Sequence, residues 1–228
     1  MTSPDRRSST HPSIAGRETE MGALADAVRR LIDLTVTCDV PPGEGDAIAG
    51  ELRAAADRLS RHVPSPPHAR YVAARAPAGS DPITMHQSLP YDIVIGRYNP
   101  LALPLTLEAA PPGAVGRGCF TKPYEGGPGW VHGAVIAGAF DMVLTAANRL
   151  EGAAGPTRQL SIRYRRPTRL EEDCVLEAWV DRRVGDRVVS KGRLRQGDVV
   201  TVEAEGEFAV MDPEHIGRRI GRSGRAGG

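Results

Sequence analysis

The chain has 228 residues, enough for one sizeable core or for one domain with an extension. A formal charge of +1 gives no reason to invoke nucleic acid or an acidic membrane as partner. No apolar run approaches the ~20 residues needed to span a bilayer, and 26 glycines, 19 prolines and only 4% aromatics fit a β-rich domain with short loops and flexible ends.

Arg6 and Arg7 are not followed by an apolar run, so the start is not read as a secretory signal. Cys38, Cys119 and Cys174 are scattered and form no Cys-x-x-Cys pair. They are read as small buried thiols of a protein in a reducing, cytoplasmic setting. No metal site or other cofactor is expected.

Residues 1–18 are rich in Ser, Thr, Pro and charge, and are expected to be disordered. Residues 19–65 read as a helical extension. Met21, Leu24, Val28, Leu31 and Ile32 mark one helical face, which Pro41-Pro42-Gly43 ends. A second helix is expected from Asp46 as N-cap, with Ile48, Leu52, Ala55 and Leu59 as its stripe. Residues 66–90 read as a linker and 91–213 as the main domain. Residues 214–228 form a basic tail expected to be mobile.

Within the main domain, 105–109 and 115–124 are expected as strands. From Val131 to Leu150 apolar residues recur at helical spacing, and Asp141 is the only acid among them. After a turn at 151–156, strands are expected at 159–166, 173–183, 187–195 and 199–211, the first alternating Leu160, Ile162 and Tyr164 against Ser161, Arg163 and Arg165. One long helix followed by an antiparallel meander is an α+β pattern.

Asp141 shares its helical face with Ala134, Ala137, Gly138, Thr145 and Asn148. Two readings stand: the wet side of an ordinary amphipathic helix, or a working carboxylate on a face narrow enough for substrate. In the second reading Gly133, at the helix start, offers an amide to a carbonyl. Eight residues separate the two, about 12 Å along the axis. One carbonyl cannot reach both in a single chain, so such a site requires two copies of the helix.

Tyr124-Glu-Gly-Gly-Pro-Gly-Trp-Val-His-Gly-Ala-Val-Ile-Ala-Gly-Ala-Phe-Asp141 resembles the central-helix motif of hotdog-fold acyl-CoA thioesterases. The similarity is to the mammalian thioesterase superfamily member type and the bacterial phenylacetate-pathway type. Gly96 to Pro104 and Thr157 to Pro167 resemble the flanking motifs, and the likeness spans roughly Tyr91 to Pro213. It implies a hotdog fold, in which an antiparallel sheet wraps one long central helix, and a homodimer or dimer of dimers acting on acyl-CoA.

By the same resemblance, Asp141 is general base or nucleophile, the amide of Gly133 polarises the thioester carbonyl, and Thr157 assists water or carboxylate. His132 orients the loop or caps the helix, and Ala134 borders the substrate where relatives carry a second glycine. Arg163, Arg165 and Arg166 are candidates for the CoA phosphates. Relatives also have an Asn shortly before the His, where this chain has Gly126-Gly127. These departures keep open a non-catalytic acyl-CoA or lipid-binding protein. A hydratase or dehydratase acting on enoyl or hydroxyacyl thioesters is a weaker third reading. No Gly-x-Ser-x-Gly elbow, dinucleotide fingerprint or P-loop is present.

Overall fold

The computed structural model describes residues 11, 13–68, 82–153 and 155–210. The expected tail 214–228, residues 1–10 and most of the expected linker lie outside them. Four α-helices are described: α1 (Glu18–Thr35), α2 (Glu44–Ser60), α3 (Pro82–Ser88) and α4 (Gly133–Leu150). Six strands are β1 (Leu105–Ala110), β2 (Gly113–Cys119), β3 (Thr157–Tyr164), β4 (Asp173–Val184), β5 (Arg187–Gln196) and β6 (Val199–Ala209). They form one antiparallel sheet in the order β1-β2-β4-β5-β6-β3. This is the hotdog arrangement that the resemblance implies.

The helix and sheet meet through the periodicities seen in the sequence. Ile136, Ala139, Phe140, Val143, Leu144 and Ala147 are buried on one side of α4. Leu176 and Ala178 of β4, Leu194 of β5, and Val202, Ala204 and Phe208 of β6 form the opposing layer. Gly116 and Gly192 let the helix come close. A Cβ at Gly116 would lie 2.8 Å from Val143 Cγ2, and one at Gly192 would lie 3.1 Å from the Phe140 ring. Each buried Phe or Leu contributes about 1.5–3 kcal/mol, so this seam sets where α4 lies.

Several boundaries differ from expectation. Helix α2 begins at Glu44 because Gly43 turns the chain at φ 85°. Asp46 therefore falls inside the first turn, where a carboxylate still suits the helix dipole. The second strand stops at Cys119, and Pro123 helps shape a 3₁₀ turn, Lys122–Tyr124. The segment expected to be disordered has structure at its end: Ile14 is buried, and the hydroxyls of Ser13 and Tyr91 lie 2.8 Å apart.

The expected linker contains α3. Seven residues are too few to show periodicity, so tertiary contacts hold this helix. Met85 is fully buried, and His86 ties α3 to two other segments. Its Nδ1 lies 3.0 Å from the Ile95 carbonyl, and its Nε2 accepts the Leu107 N–H at 3.3 Å. The proton therefore sits on Nδ1. Burial pushes the imidazole below its usual 6.5, against smaller opposing effects of the Ile95 carbonyl and the nearby Asp92.

A base whose folded pKa is depressed supports the fold fully above its unfolded value, and that support is lost as pH falls. The urea midpoint should therefore decline as pH drops from about 6.5 toward the lower folded value. His86→Gln should flatten that limb; an unchanged pH profile in the variant would show that His86 is not its source.

Candidate active site

The start of α4 is built by the loop before it. His132 N–H donates to the Tyr124 carbonyl, Gly126 N–H to that of Trp130, and Val131 N–H to that of Thr168. The Glu125 carboxylate accepts the Gly129 N–H at 2.7 Å and pairs with Lys122, and both hold its pKa below the usual value, Lys122 the more. The loop thus presents the helix start in one orientation.

His132 is the N-cap. Its Nδ1 accepts the Ala134 N–H at 3.0 Å, and its carbonyl accepts those of Val135 and Ile136. Of the first four amides of α4, only that of Gly133 has no acceptor among the described residues. His132 and Ala134 are both exposed, so the alanine side chain does not crowd the turn. The Gly133 carbonyl receives the Tyr164 hydroxyl at 2.8 Å.

Two turns further along, Asp141 is half-buried. Its Oδ1 accepts the Thr157 hydroxyl at 2.6 Å, while its Oδ2 has no partner among the described residues. A carboxylate held by one oxygen and open at the other is oriented yet free to take a proton. Asp141 and Thr157 are thus brought together, whereas Gly133 stays about 12 Å away along the same helix.

The arginines separate. Arg163 and Arg165 follow the alternation of β3 onto the face of the sheet opposite α4, and Arg165 is paired there with Glu203 at 2.7 Å. Arg163 lines a groove of ≈ 540 Å³ on that outer face with Ser161, Trp179, Lys191 and Glu205, away from Asp141. Arg166 is exposed and has no ion pair among the described residues. The segment it opens runs beside the helix lead-in, with Leu170 N–H donating to the Gly129 carbonyl and a bridge joining Arg169 to Trp130.

Of the cysteines, only Cys174 is deeply buried, and burial pushes its thiol up to about 11, which leaves little thiolate at neutral pH. Cys38 is exposed, unlike the buried thiol expected. No cluster of three metal-binding side chains occurs among the described residues, and none of their helices is long and apolar enough to cross a membrane.

The fold agrees with comparisons to known proteins. A family model described as "Thioesterase superfamily" matches residues 128–203, from the helix lead-in into β6. The crystal structure of protein RHA08564, a thioesterase superfamily protein, is 34% identical with a TM-score of 0.70, over 83% of this chain and 94% of that one. The chain belongs to the thioesterase superfamily. The superfamily's zebra fish member 2 (19% identity, TM-score 0.44, 47% of this chain and 82% of that chain) is more distant. So is the E. coli PaaI protein from the phenylacetic acid degradation operon (17%, TM-score 0.44, 46% and 82%). No curated protein matches the sequence.

Tyr164 is the site residue that sequence reading passed over. Its signal was its inward parity with Leu160 and Ile162, on the strand face turned toward α4.

Proposed function

We propose that the protein is an acyl-CoA thioesterase whose active site is shared between two copies of the chain. The observation that carries this reading is the edge strand β3. Among the described residues it pairs only with β6, and no strand covers its other side. Its first residue, Thr157, touches Asp141, and its last, Tyr164, touches Gly133. An open edge is a template for another strand. If two copies of β3 pair antiparallel, Thr157 of one lies opposite Tyr164 of the other. Asp141 then faces the free Gly133 amide of the second copy, closing the 12 Å gap that one helix cannot close.

The chemistry follows. Asp141 Oδ2 takes a proton from water as the hydroxide adds to the thioester carbonyl. The oxyanion is held by the Gly133 N–H at the positive end of α4, an interaction of the kind worth about 10²–10³ in rate. The carbon–sulfur bond breaks, the proton on Asp141 passes to the departing thiolate, and the free acid and CoA result. Thr157 keeps the carboxylate turned so that Oδ2 meets the water. Of the three candidate arginines, Arg166 is the one on the helix-entry side with an unpaired charge, which suits a CoA phosphate.

Asp141→Asn should lower kcat for acyl-CoA hydrolysis at least about 100-fold with the fold and assembly retained. A panel of acyl-CoAs with thiol detection measures it, and wild-type turnover would remove Asp141 from the mechanism.

Mixing Asp141→Asn with Gly133→Val tests the sharing itself. A random mixed population contains dimers with one intact site and should recover about a quarter of wild-type activity from two inactive parents. No recovery after confirmed exchange would mean that each site lies within one chain.

Arg166→Glu should raise KM for acyl-CoA several-fold while sparing kcat. Unchanged KM would exclude Arg166 from CoA binding.

A further inference from the structure

We infer that Tyr164 is a positioning residue for the reaction: its phenol ties the Gly133 carbonyl to the edge strand at which two copies meet, and so steadies the residue whose N–H polarises the thioester carbonyl. This inference rests on the shared-site reading above.

The hydrogen bond is unusual in what it serves. The Gly133 carbonyl lies at the start of a continuous helix and has the amide four residues on as its ordinary donor. It needs no second donor to avoid a buried, unsatisfied oxygen. The phenol is therefore not rescuing an orphaned group. It links the first turn of α4 to the last residue of β3, two elements that otherwise touch little.

The missing side chain at position 133 belongs to the same arrangement. A Cβ there would lie 2.9 Å from the Tyr164 hydroxyl and 3.1 Å from Cζ. Both approaches are closer than a carbon normally tolerates, so the ring occupies the space that any other residue at 133 would fill. Gly133 and Tyr164 are complementary: the glycine admits the ring, and the phenol holds the glycine's carbonyl. The phenol holds the Gly133–Ala134 peptide, whose N–H the His132 ring takes, and the His132 carbonyl accepts the next two amides. The free Gly133 N–H lies on the adjoining His132–Gly133 peptide, so it is flanked by a peptide held at both ends.

Tyr164 is 52% exposed although its hydroxyl is engaged. It ends β3, whose side away from β6 carries no strand among the described residues. When the edges pair, the ring lies across from Thr157 of the second copy, which holds the second copy's Asp141. The tether thus sets the distance between amide and carboxylate, the quantity on which a site assembled from two chains depends. A misplacement of about 1 Å in such a pair can lower the rate by as much as 100-fold.

The test is Tyr164→Phe, which keeps the ring and removes the tether. Expected is a fall in kcat of about tenfold with KM within about twofold, the signature of an interaction made for the transition state. Assembly by light scattering and the melting curve should match wild type. A residue that merely packed would leave kcat unchanged in the Phe variant, and that result overturns the inference. Tyr164→Leu, which also opens space, should instead relieve the clash in Gly133→Ala. The double variant should melt higher than Gly133→Ala alone, and no such recovery would equally overturn the complementarity argued here. Asp141→Asn in the same assay separates the two layers. Full activity in that variant sinks the shared-site reading, whereas a dead Asp141→Asn beside a wild-type Tyr164→Phe sinks only the role of Tyr164.

Discussion

The open edge of β3 is the constraint from which the rest of the arrangement follows. Five strands are satisfied by their neighbours or lie at the far margin of the sheet. Among the described residues β3 is held along one side only, and most of its residues are exposed. Natural sheets usually blunt such an edge with proline, a bulge deep in the strand or covering structure. Here the single register shift lies at the very start, between Thr157 and Gln159, and the pairing with β6 runs without a break from there to Tyr164. The eight residues of the strand run from Thr157, which donates to the Asp141 carboxylate, to Tyr164, which donates to the Gly133 carbonyl, so one strand spans both ends of the candidate site.

The N-terminal extension is attached by a different kind of force. α1 buries only Gly22 and Ala25, and α2 buries nothing. The attachment is polar. Asp26 takes both terminal nitrogens of Arg97 at 2.7 and 2.6 Å, and one nitrogen of Arg29 reaches the carbonyls of Gly96, Arg97 and Asn99. The Arg97 guanidinium holds the Asp26 carboxyl below the usual range, though both partners are about half exposed and such a pair contributes at most about 1 kcal/mol. The three carbonyls matter more for geometry, because they lie in the tight turn before β1. That turn also carries Val94, whose Cγ2 comes within 4.0 Å of where a Cβ at Gly138 would be. α1 therefore steadies a loop lying against the outward face of α4, one turn from Asp141.

Much of this was legible because burial imposes a period. α4 and the strands from β3 to β6 show it clearly, and their identity and order follow from residues such as Phe140, Val143, Val202 and Phe208. What escaped lacked a period or depended on contacts distant in sequence. α3 is too short to repeat, and its helix is held by Met85 and His86 against segments up to 21 residues away. The start of α4 was expected at Val131, since an apolar residue before a helix looks like part of it; the His132 ring, acting as cap, moves the start to Gly133. Asn148 was assigned to a polar face with Asp141, but it is buried beneath the helix and accepts the Ser190 hydroxyl. Helical spacing gives the angle of a side chain, not whether the sheet reaches under it. For the arginines the information was in hand: the alternation that turns Leu160, Ile162 and Tyr164 inward turns Arg163 and Arg165 outward, and Arg166, past the end of the strand, escapes the rule.

The helix start shows how three neighbouring residues divide one task. An N-terminal turn carries four amides without helical partners, and solvent or a ligand could take any of them. A turn with all four open would hold a carbonyl in several ways and select none. Here the Tyr124 carbonyl takes the His132 N–H, the His132 ring that of Ala134 and the His132 carbonyl that of Val135, leaving one donor, the Gly133 N–H, among the described residues. A serine or aspartate cap would also take an amide, but its short side chain would not extend a ring across the turn. The histidine is thus explained by what it occupies, without acting as a base. Ala134 is equally explained: its amide is used by the cap, and the residue is exposed. Selectivity at this helix start comes from closing the amides that are not wanted, and among the described residues a single open N–H, that of Gly133, is what remains.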